Sequence, residues 1–206
     1  MFAFLPPGAT LGVVGGGQLG RMFAQAAQRA GYAVAVLDPD PASPAAQVAD
    51  RHVEGAYDDP AAIDALASMV DAATTEFENV PAATLDRLAA RVPVAPAGSA
   101  VAVCQDRAAE KAAFAAAGIA TAPHAVLAEE ADVARAAADP TLFPGILKTA
   151  RLGYDGKGQA TVQRAAGLAA AFDAQRGVPC VLERRLVLAG ELSAIVTRGR
   201  DGAVVH

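Results

Sequence analysis

Apolar residues in the first third of the chain follow two different periodicities. Residues 10–14 and 33–37 are short apolar runs close to glycine or proline, a pattern typical of buried strands. Residues 19–30 instead carry apolar side chains at helical spacing and end at Gly31, a common helix stop. Buried strands that alternate with helices indicate a parallel sheet covered on its faces by helices. We therefore predict a doubly wound, parallel-sheet α/β domain over residues 1–100.

The same alternation continues after the second strand. Asp59 followed by Pro60 is typical of a helix start, because aspartate caps free amides and proline fits the first helical position. The predicted elements from there are a helix over 60–69, a strand over 72–77, a helix over 82–90 and a strand over 92–94.

The pattern changes near residue 100, and we predict a second domain over residues 101–206. A strong helical pattern covers 105–117 and ends at Gly118. The predicted elements after it are strands over 146–150, 159–163, 180–184 and 191–197, a helix over 165–175, and a hairpin turn over 198–202 with a return strand over 203–206. Domains rarely finish inside a hairpin, because an unpaired apolar edge strand invites aggregation. We therefore expect this second domain to be incomplete.

Composition and charge exclude some classes of function. The 206 residues are 53% hydrophobic and 19% charged, and the net charge is -5 without a run of lysine and arginine. Nucleic-acid binding normally requires a basic patch, so we predict no nucleic-acid partner. No uncharged apolar run reaches the roughly 18 residues of a membrane span, and the N-terminus lacks the pattern of a signal peptide. We predict no membrane partner and a cytoplasmic location.

Residues 15–20, Gly-Gly-Gly-Gln-Leu-Gly, match G-x-G-x-x-G between a predicted strand and a predicted helix. Free amides at a helix N-terminus attract phosphate, and Asp38 ends the second strand where a dinucleotide fold places its ribose-binding acid. This segment alone favours an NAD- or FAD-binding protein. The alternative is that the glycines serve only tight packing of the helix on the strand. The motif indicates a phosphate without identifying the molecule that carries it.

Lys148 lies inside a short apolar strand, where alternation places it on the same face as Ile146 and Ala150. Burying an unpaired charge costs on the order of several kcal/mol, so we expect an anionic partner, either a ligand phosphate or a structural carboxylate. The glycine-rich segment 153–159 follows between two strands. Such a hairpin can fold over a polyphosphate, although a surface hairpin without a ligand would have the same composition.

Two glutamates complete the candidate chemistry. Glu183 ends an apolar strand, and the backbone after it can offer N–H and C=O groups to the edge of an adenine. Glu191 could accept hydrogen bonds from ribose hydroxyls. Taken singly, each of these acids is more often a solvated surface residue.

Taken together, these motifs resemble those of one enzyme family. They occur in the same order in N5-carboxyaminoimidazole ribonucleotide synthases, which are ATP-grasp enzymes. The matching segments are Gly17-Gln18-Leu19-Gly20-Arg21-Met22, Glu76-Phe77-Glu78-Asn79-Val80-Pro81, the helix at Asp106-Arg107, Gly153–Gln159 and Gly190-Glu191-Leu192-Ser193. The resemblance covers nearly the whole chain. It implies a pre-ATP-grasp domain followed by the first, incomplete part of an ATP-grasp domain.

The resemblance implies an enzyme of purine biosynthesis. Such an enzyme uses ATP and bicarbonate to carboxylate the exocyclic amine of 5-aminoimidazole ribonucleotide (AIR) through carboxyphosphate. The first glycine loop then holds the ribose phosphate of AIR rather than a dinucleotide, and Asp38 is expected only to cap the strand end. The implied substrate-binding residues are Gly17, Gln18, Leu19, Glu76 and Tyr154.

The resemblance also implies an ATP site with a phosphate-binding pair, a lid over residues 153–159, an adenine hinge over 183–186 and a ribose acid. The implied ATP-binding residues are Arg107, Lys148, Gly153, Tyr154, Asp155, Gly156, Lys157, Gly158, Gln159, Glu183, Arg184, Arg185, Leu186 and Glu191. Asp155 and Lys157 are the implied catalytic residues, with Asp155 accepting the amine proton. Lys157 stands where some relatives carry arginine.

The family's Mg²⁺ ligands lie in its C-terminal half. We therefore expect no metal ligand within this chain, ATP and Mg²⁺ as cofactors with metal ligands beyond residue 206, and no activity from residues 1–206 alone. The implied partners are AIR, bicarbonate and ATP, and the implied assembly is a homodimer. Two alternatives stay open. One is another ATP-grasp ligase, similar to formate-dependent glycinamide ribonucleotide transformylase or biotin carboxylase, and the other is a non-catalytic nucleotide- and phosphate-binding module.

Overall fold

The structure, a computed structural model, describes residues 5–153, 158–199 and 201–206. Its first part contains strands β1 (Thr10–Val14), β2 (Ala33–Asp38), β3 (Arg51–Glu54) and β4 (Ala72–Thr75), with helices α1 (Gln18–Arg29), α2 (Pro60–Met69), α3 (Ala82–Ala89) and α4 (Gly98–Cys104). Its second part contains helices α5 (Arg107–Ala116), α6 (Glu130–Ala137) and α7 (Leu168–Asp173), with strands β5 (His124–Leu127), β6 (Gly145–Thr149), β7 (Gln159–Val162), β8 (Cys180–Arg184), β9 (Thr197–Arg198) and β10 (Val204–Val205). Short 3₁₀ turns occur at Pro140–Leu142 and Ala165–Gly167.

The first four strands form a parallel sheet in the order β3-β2-β1-β4. Successive side chains of a strand point to opposite faces, so Val13 and Val14 of β1 enter two different cores. Val14 packs in the core that α2 and α3 cover with Leu66 and Leu85. Val13 packs in the core that α1 covers with Ala24. Helices on both faces make this sheet doubly wound, which confirms the fold predicted for this part of the chain.

The second sheet is antiparallel and has the order β5-β8-β6-β7. Its core contains Leu127, Leu147 and Leu182 from the strands and Leu168 from α7. Because Leu182 points into this core, the next residue, Glu183, points to the opposite face, on which α5 lies. The two faces of β8 therefore serve different purposes, one for packing and one for polar chemistry.

Two predicted strands differ from the structure. The strand predicted over 191–197 is wrong, because residues 185–196 have no regular secondary structure and β9 begins only at Thr197. Leu192 is 91% exposed and Ile195 is 86% exposed, so no facing core of the described residues orders this segment. The strand predicted over 92–94 is reduced to a single bridge between Val94 and Ala73. The predicted hairpin at the end of the chain is confirmed by the antiparallel pairing of β9 with β10.

The helix predicted over 105–117 begins at Arg107. It follows α4 in the chain, and α4 is a separate helix that ends at Cys104. Asp106 adopts an extended backbone (φ -131°, ψ 111°), and its carboxylate accepts hydrogen bonds from the amides of Ala108 and Ala109. This is an N-cap, and it starts the helix two residues later than the apolar spacing predicts. Within the parts of the chain that the structure describes, no helix is both long and apolar enough to cross a membrane.

Candidate functional site

The glycine loop between β1 and α1 is closed by two carboxylates. Gly15 adopts φ +107°, in the left-handed region that favours glycine. The Gly16 amide donates to Asp38 Oδ2 at 2.6 Å, and the Gly17 amide donates to Glu76 Oε2 at 3.2 Å. Two amides that a bound phosphate could use are therefore occupied by side chains from the ends of β2 and β4.

Asp38 is buried, and its carboxylate accepts hydrogen bonds from three donors. Besides the Gly16 amide, its carboxylate accepts from the Tyr57 hydroxyl at 2.6 Å and from the Asp40 amide at 2.9 Å. Burial, the hydrogen bond to Asp38 and the charge of Asp38 together raise the pKa of Tyr57, so this hydroxyl remains a donor. A dinucleotide-binding fold needs the acid at this position for a ribose. Asp38 instead caps the strand end, as the sequence predicts, and the dinucleotide interpretation is not supported.

The first turn of α1 carries the remaining loop amides. Gln18, Leu19 and Gly20 precede the first helical hydrogen bond, which the Arg21 amide donates to the Gly17 carbonyl at 3.0 Å. First-turn amides have no acceptor within their helix and form the positive end of its dipole. Since Gly16 and Gly17 are engaged, an anion at this loop would contact the amides of Gln18 and Leu19, two of the predicted substrate-binding residues.

Glu76 begins the loop that leaves β4, and Gln105 holds this loop from the end of α4. The Gln105 Nε2 atom donates to the Glu78 carbonyl at 2.8 Å and to the Val80 carbonyl at 2.6 Å. The Glu76 amide donates to the Val14 carbonyl at 2.9 Å, which joins the loop to β1. These contacts fix the position from which the Glu76 carboxylate reaches the glycine loop.

Lys148 of β6 and Lys111 of α5 share one carboxylate. The Lys148 Nζ atom lies 3.1 Å from Glu183 Oε2, and the Lys111 Nζ atom lies 3.4 Å from the same oxygen. The side chains are 24%, 11% and 13% exposed for Lys148, Lys111 and Glu183 respectively. The anionic partner predicted for Lys148 is therefore present in the protein itself, as the sequence alternative of a structural carboxylate allows.

The two lysines decide the charge state of Glu183. Burial alone would raise the pKa of this carboxyl group, but the hydrogen bond and charge of Lys148 and then those of Lys111 outweigh it and lower the pKa. Glu183 is therefore ionised at neutral pH, and the cluster contains two cations and one anion. An excess of one positive charge in a largely buried place favours the binding of an anion.

Arg107 connects α5 to the glycine-rich segment after β6. Its amide donates to the Ala150 carbonyl at 2.9 Å, and its guanidinium donates to the Gly153 carbonyl at 3.1 Å. A cavity of about 120 Å³ lies beside it, and Glu78 and Asn79 of the loop that begins at Glu76 line its other side. The predicted phosphate-binding arginine and the loop that carries the predicted residue Glu76 therefore line one common space.

The predicted adenine hinge, residues 183–186, begins within the last two residues of β8. The Arg184 amide donates to the Pro123 carbonyl and the Arg185 amide to the Pro144 carbonyl, each at 2.8 Å, so neither amide is available to an adenine. Both of these side chains are exposed. The Leu186 amide has no backbone acceptor among the described residues, and it is the hinge donor that an adenine nitrogen could use.

The remaining predicted residues fall into three groups. Gly158 and Gln159 lie where the glycine-rich segment enters β7, and the Gly158 carbonyl accepts from the Thr149 amide at 2.8 Å. Glu191 is exposed in the irregular segment, and no hydrogen bond or ion pair of the described residues joins it to the lysine cluster. The predicted residues that lie outside the described residues are Tyr154, Asp155, Gly156 and Lys157.

Two residues of this region are missing from the site predicted by sequence. Lys111 contacts the hinge residue Glu183, and Gln105 holds the loop that begins at Glu76. The sequence contains one indication that Lys111 belongs to the site. It is one of three lysines in the chain and lies one helical turn after Arg107. Among the described residues, no group of three or more histidine, cysteine, aspartate or glutamate side chains could hold a metal ion.

Two family models match the chain in succession. Residues 8–105 match the ribonucleotide synthetase pre-ATP-grasp domain, and residues 112–206 match the ATP-grasp domain. The domain types implied by the sequence motifs are thereby confirmed. The boundary at residues 100 and 101 stays a prediction.

Individual relatives give the same result. The chain is 45% identical over 202 residues to the N5-carboxyaminoimidazole ribonucleotide synthase of Brucella melitensis, which covers 97% of this chain and 56% of that protein. The solved N5-carboxyaminoimidazole synthetase of Staphylococcus aureus complexed with ADP has a TM-score of 0.92 at 37% identity, covering 98% of this chain and 54% of that one. The Aspergillus clavatus synthase in complex with ADP and 5-aminoimidazole ribonucleotide has a TM-score of 0.76 at 32% identity, covering 87% and 47%. The chain thus spans about half the length of the relatives it matches.

Proposed function

Because this chain belongs to the N5-carboxyaminoimidazole ribonucleotide synthase family of ATP-grasp proteins, we propose that the protein carboxylates the exocyclic amine of AIR. The reaction consumes ATP and bicarbonate and releases ADP and phosphate. The pre-ATP-grasp and ATP-grasp family models match this chain in the order in which such an enzyme carries the two domains.

One structural observation carries the proposal. The cavity beside Arg107 is lined by Gly153 from the nucleotide side and by Glu78 and Asn79 from the loop that begins at Glu76. A ligase that joins a phosphorylated acid to an amine needs its two substrates to meet in one enclosed space. The arrangement of these residues supports a shared reaction space between the two sheets.

The nucleotide side supplies positive charge for the first step. Transfer of the γ-phosphoryl group to bicarbonate is mainly a matter of position and charge neutralisation. Among the described residues, Lys148 and Arg107 are the cations that would bind the phosphates. The Leu186 amide would bind the adenine. Mg²⁺, when bound, neutralises phosphate charge.

The substrate side positions the amine. The first-turn amides of Gln18 and Leu19 would hold the ribose phosphate of AIR, and the Glu76 carboxylate would contact its polar groups. In the second step the amine nitrogen forms a bond to the carboxyl carbon, and the bond from that carbon to the phosphate oxygen breaks. The amine proton passes to a base, for which Asp155 stays the predicted residue.

The test is a phosphate-release assay on the protein expressed from its full reading frame. We expect ATP hydrolysis that depends on both AIR and bicarbonate, with carboxylated AIR as the product. A parallel assay with glycinamide ribonucleotide and formate tests the related transformylase activity. Turnover in that assay instead, or nucleotide binding without turnover in either, would contradict the proposal and favour one of the two alternatives.

The assembly and location follow from the same proposal. We expect a homodimer, as the resemblance to the family implies, and a cytoplasmic enzyme that meets AIR where purines are made. Light scattering on the purified protein measures the first, since a monomer at assay concentration would contradict it.

A further inference from the structure

Glu183 receives two lysines from two different elements. Lys148 approaches from the neighbouring strand β6 and Lys111 from helix α5, and both contact the same oxygen, Oε2. A single carboxylate oxygen seldom needs two ammonium groups for stability alone, because each buried cation carries its own desolvation cost. The second lysine therefore calls for an explanation beyond the ion pair.

The two lysines are not equivalent. Lys148 is 24% exposed and lies three residues from Arg151, at the entry to the glycine-rich segment, whereas Lys111 is 11% exposed within α5. A hydrogen bond from the Arg107 amide to the Ala150 carbonyl joins the first turn of α5 to the residue that follows β6. Lys148 is thus the lysine that can turn toward a phosphate, and Lys111 is the one held beside Glu183.

We propose that Lys111 is a positioning residue that stays on Glu183 when Lys148 turns to the nucleotide phosphates. This inference rests on the proposed nucleotide site. Lys111 then keeps the Glu183 carboxylate charged and fixed at the start of the hinge, so that the Leu186 amide three residues later is held ready for the adenine. Without Lys111, nucleotide binding would leave Glu183 buried beside a phosphate and without a cation, and the carboxylate would take up a proton.

The groups that face Glu183 define the controls. They are Lys111 from α5, Lys148 from β6 and the cross-strand partner His124 from β5. The 3₁₀ turn at Pro140–Leu142, which also packs near β8, has no titratable side chain. Among the described residues, His124 is therefore the other titratable group, besides the two lysines, that faces Glu183.

The experiment is calorimetry of ADP binding at pH 6 in two buffers of different ionisation enthalpy, which gives affinity and proton uptake together. We expect Lys111→Met to raise the Kd for ADP about tenfold and to take up at least about 0.3 proton more per ADP than the wild type. Lys111→Arg should restore both values. Arg135→Met, which removes a cation from an exposed ion pair with Asp132 on α6, should change neither.

The outcomes separate the inference from the proposed function. The double variant Lys111→Met/Glu183→Gln should lose the extra proton uptake, whereas its persistence would assign the proton to His124 and overturn the inference. If Lys111→Met does not fold, carboxyl NMR of the wild type decides, because Glu183 must stay ionised at pH 6 when ADP is bound. A wild type that binds no ADP would refute the proposed function. ADP binding with equal affinity and equal proton uptake in wild type and Lys111→Met would refute the role of Lys111 alone.

Discussion

The Gly16 amide lies 2.6 Å from the Asp38 carboxylate, so the end of β2 holds the glycine loop from inside the protein. In a dinucleotide-binding fold the acid at the end of this strand faces a ribose. Here the same sequence position serves the protein's own backbone, and the Tyr57 hydroxyl donates to the same carboxylate oxygen, Oδ2. The loop is therefore shaped before any ligand arrives.

Replacing Asp38 should destabilise the protein strongly. Asp38→Ala leaves the Gly16 amide and the Tyr57 hydroxyl without their acceptor in a buried place, which we expect to lower the free energy of unfolding by about 3 kcal/mol. Urea denaturation measures this value. Asp40→Ala is the matched control, since among the described residues the Asp40 carboxylate accepts only from the exposed Ala42 amide. A loss below about 1 kcal/mol for Asp38→Ala would show that the loop does not depend on this contact.

The Tyr57 hydroxyl should make stability depend on alkaline pH. Its pKa is raised in the folded protein, so the folded state holds this proton more tightly than the unfolded state, whose pKa is 10.0. The resulting stability is present below pH 10 and is lost as the pH rises through the folded pKa. We expect the stability difference between wild type and Tyr57→Phe to shrink as the pH rises from about 9 to 11. A difference that stays constant over this range would contradict the prediction.

Gln105→Ala should affect the substrate side more than the nucleotide side. Loss of the two bonds to the Glu78 and Val80 carbonyls frees the loop that carries Glu76, so we expect a higher KM for AIR with the Kd for ADP unchanged. The stability loss should be about 1–2 kcal/mol. Gln28→Ala is a matched control, because Gln28 also donates to a loop carbonyl, that of Val48, and to the Asp50 carboxylate, neither of which belongs to the candidate site. Equal effects of both variants on the KM for AIR would show that Gln105 acts only through stability.

Lys148→Ala should weaken nucleotide binding. It removes the more exposed cation of the lysine cluster, and we expect the KM for ATP and the Kd for ADP to rise at least about tenfold. Lys148→Arg keeps the charge but not the compact ammonium, so it should recover only part of the affinity. KM and kcat for Lys148→Ala within about twofold of the wild type would show that Lys148 does not bind the phosphates.

Local patterns predicted most of the regular elements. The boundaries of β1, α2 and β8 agree with the sequence prediction, because each has a continuous apolar run or a clear cap such as Asp59. The pattern does not indicate β3 and β5, since each contains a single buried residue, Val53 and Leu127. The apolar run around Leu192 and Ile195 gave a strand where the structure has none, because an apolar run becomes a strand only when another layer packs on it.

The site could be predicted only in part. The sequence indicates that Lys148 needs an anion, but the partner Glu183 lies 35 residues away. The register of β6 on β8 pairs Glu183 with Ile146 and so places it diagonally across from Lys148. Lys111 comes from a third element, whose distance from β8 depends on how α5 packs. The local spacing of apolar and polar residues does not indicate long-range strand register or helix packing. For this reason both the shared carboxylate and the Gln105 contacts come from the structure alone.

The strand order β5-β8-β6-β7 has a consequence for how the chain reaches its native state. During synthesis β6 and β7 can pair as soon as they emerge, because they are neighbours in sequence and in the sheet. β5 emerges before both, yet its partner in the sheet is β8, which emerges more than 50 residues later. β5 therefore stays unpaired until β8 inserts between it and the β6–β7 hairpin, which has already formed. Such non-local pairing is slow. The polar face of β8, with Glu183 on it, is among the last parts of this sheet to be assembled, so a nascent chain gains its lysine–carboxylate cluster only when the sheet closes.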